Sequence, residues 1–351
     1  MISFIWPSGE GMLAGTGGSE TFTAGHIREL LRRGIGAQVV IIGAAITQSK
    51  HDFPNIPFLG LTDESQIGEL TGTVVFVNRA YDVRTRRKAA IILHCAVPSK
   101  VEQHERMKEV KGKTIIATSI YNAQQWALYL KIPSSTINVV MPFADPVYGN
   151  VHRSKPGKKL RVLYAGRLHP EKGIYTILEM MHLYEMKTLG VHMSIVMAGQ
   201  HVIEGKTIAK MLRGYRYATL LKPRQNVTSM AMLLARTDIL LMPSVFAEPF
   251  GMLSVEAQHS GCRVIASSLG GLPETNCGLL TLVAERNPQA LITAIGEGVA
   301  LGLSTAKQRR AAIREFTLSD SVDSLLRYLP REQTTAGPRP ISGVRPGMVQ
   351  A

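Results

Sequence analysis

The sequence has few cysteines, and none is spaced for a metal site or a disulfide framework. Cys95, Cys262 and Cys277 are the only three in 351 residues, and no CxxC pair occurs. A structural zinc site needs closely spaced cysteine or histidine ligands, and a disulfide scaffold needs paired cysteines. Both classes are therefore excluded. Such sparse cysteine usage is typical of a reducing compartment, so we expect a cytoplasmic protein.

Long apolar runs are also missing. The longest, such as residues 39–46 and 91–97, fall well short of the roughly 18 residues that span a bilayer, so we expect no transmembrane helix. The first ten residues, MISFIWPSGE, have no basic region and no small-residue cleavage site, so we expect no signal peptide.

Acidic residues are outnumbered, with 26 Asp+Glu against 40 Lys+Arg and a formal charge of +14. This balance favours anionic partners, namely nucleic acid, acidic lipid headgroups or phosphate-bearing substrates. Aromatic residues are only 6% of the chain, and no basic motif interleaved with aromatics occurs, so we expect no nucleic-acid partner. The charge is uneven, because residues 79–113 hold ten basic and four acidic side chains. A solvated surface is the plain interpretation of that run.

The first half of the chain alternates apolar runs of strand length with helical patterns. A helix is predicted over residues 19–33, capped by Ser19 and ended by Gly34. Continuous apolar runs predict strands buried on both faces, as in a parallel sheet. These strands are predicted at residues 2–6, 38–42, 74–78, 89–94 and 114–118. Residues 1–145 are therefore predicted to form a Rossmann-like domain, with residues 146–159 as a linker.

A second alternation follows the linker, with strands predicted at residues 160–164, 194–198, 239–242 and 263–266. We expect an α/β fold of two doubly wound domains facing across a cleft, residues 160–330 forming the second. Such folds bind ligands at the carboxyl ends of their strands. Residues 331–351 are rich in proline, glycine and arginine and are predicted to be a flexible tail.

The segment PSVFAEPFGMLSVEAQHSG, residues 243–261, follows a predicted strand and begins a predicted helix. The backbone N–H groups of residues 251–254 would be free at that helix start, which is a favourable place for a diphosphate. Glu248, just outside the helix, could accept hydrogen bonds from sugar hydroxyls. Glu256, two turns along, could bind a ribose.

Two further loops follow strand ends. In VLYAGRLHPEKG, residues 162–173, Arg167 and Lys172 could stabilise the charge on a departing diphosphate. They could equally be two surface cations, but their place at the end of a strand favours function. In GTGGSE, residues 15–20, glycines would let the backbone approach a phosphate. That loop lacks the GxGxxG fingerprint that a nicotinamide oxidoreductase would need.

Together these segments resemble the retaining glycosyltransferase family 4, a glycogen-synthase-like group with the GT-B fold. The resemblance rests on GGSE, AGRLHPEKG, TDILLMPSVFAEPFGMLSVEA and CRVIASSLGGLPE. It is nearly continuous over residues 161–295 and looser in the first half, which is short for the family. It implies a nucleotide-sugar donor bound mainly by the second domain. Glu248 would contact the hexose, Glu256 the ribose, and Arg167 and Lys172 the diphosphate.

The same resemblance implies roles for other residues of the cleft. Gly17 and Gly18 would approach the phosphates from the first domain. His94, at the end of an apolar strand, would face the donor sugar, although an isolated histidine there is otherwise a core residue. The remaining donor-binding residues would be Phe250, Gly251, Met252 and Leu253 near the sugar and phosphates, and Arg224 and Val227 near the nucleobase. The segment RQNV, residues 224–227, departs from the commoner glycine-containing version, which leaves the nucleobase open, with UDP preferred.

The expected reaction needs no cofactor and no metal, because no Asp-x-Asp triplet occurs in the sequence. The resemblance implies transfer of a hexose, from UDP-glucose or a similar donor, with retained configuration. The acceptor hydroxyl would attack on the same face as the departing diphosphate, through an oxocarbenium-like transition state. Two alternatives stay open: a UDP-sugar 2-epimerase of the same fold, and a non-enzymatic binder of anions or nucleic acid.

The acceptor is expected to be a glycan, a lipid-linked sugar or a small molecule. Related enzymes often act at the cytoplasmic membrane face with a similar basic surface. The run over residues 79–113 therefore predicts a weak peripheral contact with an anionic membrane at its inner face.

Overall fold

A computed structural model of the chain describes residues 1–15, 17–86, 88–155, 157–183, 188–198, 205–222 and 226–330. The predicted tail, residues 331–351, and Arg224 lie outside the described residues. Two parallel sheets account for the strands, one in each half of the chain.

The first sheet has seven strands in the order β3-β2-β1-β4-β5-β6-β7, and every pairing is parallel. Its strands are β1 Ile2–Ile5, β2 Ala37–Ile42, β3 Phe58–Leu61, β4 Thr73–Val77, β5 Ala90–Leu93, β6 Thr114–Ala117 and β7 Ile137–Val139. The helices beside it are α1 Gly18–Arg32, α2 Thr47–Asp52, α3 Gln103–Val110 and α4 Ile120–Leu130.

Side chains of the first sheet alternate between two apolar cores. Phe4 packs in one core and its neighbour Ile5 in the other, and Val75 and Phe76 divide in the same way. Since successive strand residues point to opposite faces, both faces of the sheet are covered. This is the doubly wound arrangement that the continuous apolar runs predict.

The second sheet has six strands in the order β10-β9-β8-β11-β12-β13, again all parallel. Its strands are β8 Leu160–Arg167, β9 Val191–Ala198, β10 Ala218–Leu221, β11 Ile239–Met242, β12 Arg263–Ser267 and β13 Leu280–Val283. The helices from the linker onward are α5 Pro146–Asn150, α6 Ile174–His182, α7 Gly205–Leu212, α8 Val227–Leu234, α9 Met252–His259, α10 Pro288–Leu301, α11 Ala306–Ala312 and α12 Leu318–Tyr328. The predicted fold class, two doubly wound α/β domains, is confirmed.

The segment predicted as a linker is partly helical. Helix α5 lies at its start, where the Asp145 carboxylate accepts a hydrogen bond from the Val147 backbone N–H at 3.0 Å. Tyr148 in this helix is 2% exposed and packs in a core of the second domain. An Asp-Pro pair is a recognised helix start, which is the signal that the polar composition of the segment obscured.

The last described helix returns to the first domain. Val322 and Leu325 of α12 pack in the same core as Ile27 and Leu30 of α1. The Ser321 hydroxyl donates to the Met141 carbonyl at 2.6 Å. The boundary that the sequence predicts, with residues 160–330 in the second domain, is therefore wrong for this helix, because its amphipathic pattern shows a buried face but not which domain covers it.

None of the helices in the described part of the chain is both long and apolar enough to cross a bilayer.

Candidate functional site

Glu248 and Lys172 form a close ion pair at the carboxyl ends of the second sheet. The Lys172 Nζ atom lies 3.0 Å from the Glu248 Oε1 atom. The Ser244 hydroxyl donates to the same oxygen, and Lys172 Nζ also lies 4.8 Å from the centre of the Phe246 ring. Glu248 is 7% exposed, so its charge is balanced by the lysine and the hydroxyl rather than by water.

Two loops bring this pair together. The Val245 backbone N–H donates to the Glu171 carbonyl at 2.8 Å, which joins the loop after β11 to the short 3₁₀ helix Pro170–Lys172. Gly173 ends that turn with φ +75°, and a Cβ added there would lie 1.9 Å from the Pro243 carbonyl oxygen. Only glycine permits this close approach, so the position of Lys172 depends on it.

The start of helix α9 lies beside the ion pair. Gly251 is its N-cap with φ +116°, and the backbone N–H groups of Met252 and Leu253 open the helix. The Ser254 N–H donates to the Gly251 carbonyl at 3.0 Å, so it is not free, contrary to the sequence-based expectation for residues 251–254. A cavity of about 190 Å³ separates these amides from Lys172 and Glu248.

The first domain presents a second helix start across the cleft. Helix α1 begins at Gly18 with Gly17 as its N-cap, two residues before Ser19, the cap that the sequence predicts. A Cβ added to Gly18 would lie 3.2 Å from the Met252 sulfur, so α1 and α9 meet at their N-termini. Neither glycine lines the cavity beside Glu248, but Gly18 lies at its edge through this contact with Met252.

A larger cavity, about 390 Å³, lies between the domains beyond α9. Glu256, Val227 and Tyr148 line it from the second domain, and Arg28 and Asp52 line it from the first. Burial raises the pKa of Glu256 to about 7, although a hydrogen bond from Tyr148 partly opposes the shift. Burial therefore favours the protonated form of this carboxyl more than water does.

An ion pair at the edge of the larger cavity joins helix α1 to Asp145, the residue that caps helix α5. Arg28 of α1 lies 3.1 Å from the Asp145 carboxylate, and that carboxylate is one of the groups that raise the pKa of Glu256. Burial, with Glu256 beside it, raises the pKa of Tyr148 as well. Tyr148 is a part of this site that sequence reasoning missed.

His94 lies near the cleft but lines neither cavity. Its ring meets Phe22 edge-on, with centroids 4.6 Å apart, and its backbone N–H donates to Asn78 at 2.9 Å. Burial and nearby His26 lower the pKa of His94 to about 3, so the ring is neutral. Its buried Nε2 atom has no hydrogen-bond partner in the described part of the chain, unlike a satisfied core histidine.

Two other predicted site residues are placed away from the cavities. Arg167 ends β8 and is exposed, and it lines neither cavity. Phe250 is 3% exposed, and its ring packs against Phe316 with centroids 5.6 Å apart. The side chain of Phe250 therefore belongs to the core, and only its backbone follows the site loop.

The site thus joins a cation–carboxylate pair, two helix N-termini and a buried carboxyl along one cleft. Free backbone N–H groups and a lysine favour a phosphate ester, and buried carboxylates favour sugar hydroxyls. Among the residues that the structure describes, no group of three or more His, Cys, Asp or Glu side chains could hold a metal ion. Ser244 and Phe246, which sequence reasoning missed, stand within the same short segment as Glu248.

Comparison with known families identifies the second half of the chain. Residues 159–299 match the family model for glycosyl transferases group 1, so the chain carries a domain of that type. The chain is 31% identical to glycogen synthase of Mycobacterium tuberculosis over 165 residues. This alignment covers 45% of this chain and 38% of that protein. Over 113 residues the chain is 34% identical to D-inositol 3-phosphate glycosyltransferase of Mycobacterium leprae, or 30% and 26% of the two chains. The matches thus span from about a quarter to two-fifths of these relatives.

Solved structures resemble almost the whole chain. A glycosyltransferase from Rickettsia africae superposes with a TM-score of 0.73 at 19% identity, covering 93% of this chain and 97% of its own. Anabaena HepE in complex with UDP gives 0.72 at 17% identity, covering 93% and 98%. At these identities the likeness establishes the two-domain fold, shared with glycosyltransferases of the GT-B type.

Proposed function

We propose that this protein is a glycosyltransferase that moves a hexose from a nucleotide sugar, UDP-glucose or a close analogue, to a hydroxyl of an acceptor. The observation that carries the proposal is the Lys172–Glu248 pair facing the start of helix α9 across a cavity. The glycosyl transferases group 1 domain covers all of these residues.

The two cavities suit the two halves of such a donor. The hexose and diphosphate would lie between Glu248, Lys172 and the amides of Met252 and Leu253. The nucleoside would lie in the larger cavity, with its ribose at Glu256 and its base near Val227. HepE, which shares the fold, was solved with UDP and with UDP-glucose, which supports UDP as the nucleotide.

The proposed chemistry is displacement on one face of the sugar with retention of configuration. As the bond from the anomeric carbon to the phosphate oxygen breaks, Lys172 and the helix N-terminus stabilise the negative charge that develops on the leaving diphosphate. The acceptor hydroxyl attacks from the same side and passes its proton to the departing phosphate oxygen. Glu248 orients the hexose hydroxyls. The proposed reaction uses no divalent metal and no cofactor.

Isothermal titration with UDP-, GDP- and ADP-glucose tests this assignment. We expect binding of the UDP sugar in EDTA, weaker or no binding of the others, and release of UDP only when an acceptor is present. Failure of all three donors to bind, or binding only with magnesium, would refute it. Conversion of the donor sugar without an acceptor would support a UDP-sugar 2-epimerase instead.

We also propose that the acceptor is a glycan or a lipid-linked sugar. The protein would reach it while bound to the anionic inner face of the cell membrane. This contact is predicted from the basic run over residues 79–113, but not every basic side chain of that run is available to a membrane. Arg79 is paired with Glu105 and Glu109, and Arg106 with Glu109, so these arginines are neutralised locally. Outside these pairs, Arg84, Arg86 and Lys88 are exposed in the segment before β5, and a second exposed group lies along α3 and the turn before it. This basic stripe consists of Lys100, Val101, His104, Met107, Lys108 and Lys111.

The basic stripe suits a membrane surface because lysines flank exposed apolar side chains, with Val101 93% exposed. Each lysine near an anionic surface contributes about 1 kcal/mol. The protein should therefore sediment with phosphatidylglycerol vesicles at low salt and not with phosphatidylcholine vesicles. A triple variant with glutamate in place of Lys100, Lys108 and Lys111 should no longer sediment with phosphatidylglycerol vesicles. Equal sedimentation with both vesicles, or none, would contradict the membrane contact.

A further inference from the structure

A carboxylate of the second domain caps a helix of the first. Glu274 lies in the 3₁₀ helix Leu272–Thr275, and its two oxygens accept the backbone N–H groups of Ile120 at 2.8 Å and Tyr121 at 2.6 Å. These residues open helix α4, whose N-cap Ser119 accepts the Asn122 N–H at 2.9 Å. Charge-assisted hydrogen bonds at the positive end of a helix are among the stronger contacts available between two domains.

The same helix start also contacts the loop that carries Glu248. The Ser119 hydroxyl donates to the carbonyl of Pro249, the residue that follows Glu248. Helix α4 therefore reaches the second domain at two points, the loop itself and the segment with Glu274.

Those two points are parts of one tightly packed unit. The Gly271 N–H donates to the Glu248 carbonyl at 2.7 Å. A Cβ added to Gly270 would lie 2.6 Å from the backbone N and O atoms of Glu248, and one added to Gly271 would lie 2.4 Å from the Pro249 carbonyl oxygen. With no space between them, the segment from Gly270 to Glu274 and the loop at Glu248 move together.

We propose that Glu274, supported by Ser119, is a positioning residue of the sugar transfer, which ties the Glu248 loop to helix α4 and so joins the donor sugar to the acceptor half of the cleft. This rests on the function proposed above. Glu274 lines neither cavity and touches no donor atom in that proposal. Glu274 would act on the reaction through the Glu248 loop. The N–H groups of Ile120 and Tyr121 in the first domain hold its carboxylate, and its segment is packed tightly against Glu248 in the second domain.

The inference predicts a separation of turnover from donor binding. In Glu274→Ala the donor half of the site stays complete, so the dissociation constant for UDP-glucose by titration should stay within about twofold. The kcat should fall about 10- to 100-fold, as expected from the loss of two hydrogen bonds to a charged group in the reacting geometry. Glu274→Gln keeps the shape and one acceptor oxygen and should fall between Glu274→Ala and wild type.

A matched control is Glu297→Ala, an exposed carboxylate on α10, which should leave kcat unchanged. Thermal unfolding of every variant separates positioning from folding. If Glu274→Ala turns over at the wild-type rate, the inference is wrong. If kcat, donor affinity and the melting temperature all fall together, the contact is structural and the inference is also wrong.

The two proposals fail in different ways. A wild-type protein that neither binds nor consumes any nucleotide sugar removes the proposed function. A wild-type protein that transfers sugar while Glu274→Ala does so equally well removes only the role of Glu274.

Discussion

Replacing Lys172 with methionine should lower the rate of sugar transfer by about a hundredfold or more while the fold survives. Lys172 is the cation that lines the smaller cavity, with its ammonium 3.0 Å from Glu248. Removing a group directed at charge that develops in a transition state typically costs about 10²–10³ in rate. Steady-state kinetics with UDP-glucose, or with whichever donor titrates, measures the loss.

Lys159→Met is the matched control, because Lys159 is an exposed cation at the start of the second domain. It should have wild-type kinetics. Glu248→Ala should lose turnover to a similar degree. The double variant should be no less active than the less active single variant, since the two side chains form one ion pair and losing either displaces the other. Wild-type turnover in Lys172→Met would show that the site lies elsewhere, provided that circular dichroism shows both proteins folded.

Replacing Gly173 with alanine should destabilise the second domain far more than the same change at Gly190. Both glycines have positive φ, +75° and +67°, but a Cβ at Gly173 would lie 1.9 Å from the Pro243 carbonyl oxygen, whereas Gly190 has nothing within 4 Å. The left-handed backbone alone costs about 1–2 kcal/mol for alanine. The collision should add at least about 2 kcal/mol, since backbone must move.

Urea unfolding followed by circular dichroism gives both losses on one scale. The two variants share the cost of the left-handed backbone, so their difference isolates the collision at Pro243. Equal midpoints for Gly173→Ala and Gly190→Ala would contradict the close packing that places Lys172.

Every internal strand of both sheets could be predicted from the sequence, and every edge strand was missed. The internal strands are buried on both faces, so they are continuous apolar runs, such as β11 at Ile239–Met242. The edge strands β3, β7, β10 and β13 are partly exposed, and a glycine or a polar residue interrupts each of them, so none is a continuous apolar run.

The candidate site divides in a similar way. Glu248, Lys172 and the start of α9 could be predicted because each lies in a short segment directly after a strand. Tyr148 and Glu274 could not, because their partners are far away in the sequence: Tyr148 meets Glu256, and Glu274 meets Ile120. The ring of Phe250 also turned to the core, since a sequence pattern does not show which way a loop side chain points.

The return of helix α12 to the first domain has a mechanical consequence. The polypeptide passes between the domains twice, once through the segment that holds α5 and again before α12. The two crossings lie side by side, because Arg309 of α11 donates hydrogen bonds to the carbonyls of Tyr148 and Gly149 in α5. A body attached at two neighbouring points can rotate about the line through them but cannot twist freely. We therefore expect the two halves to move mainly by opening and closing the groove, rather than by twisting against each other.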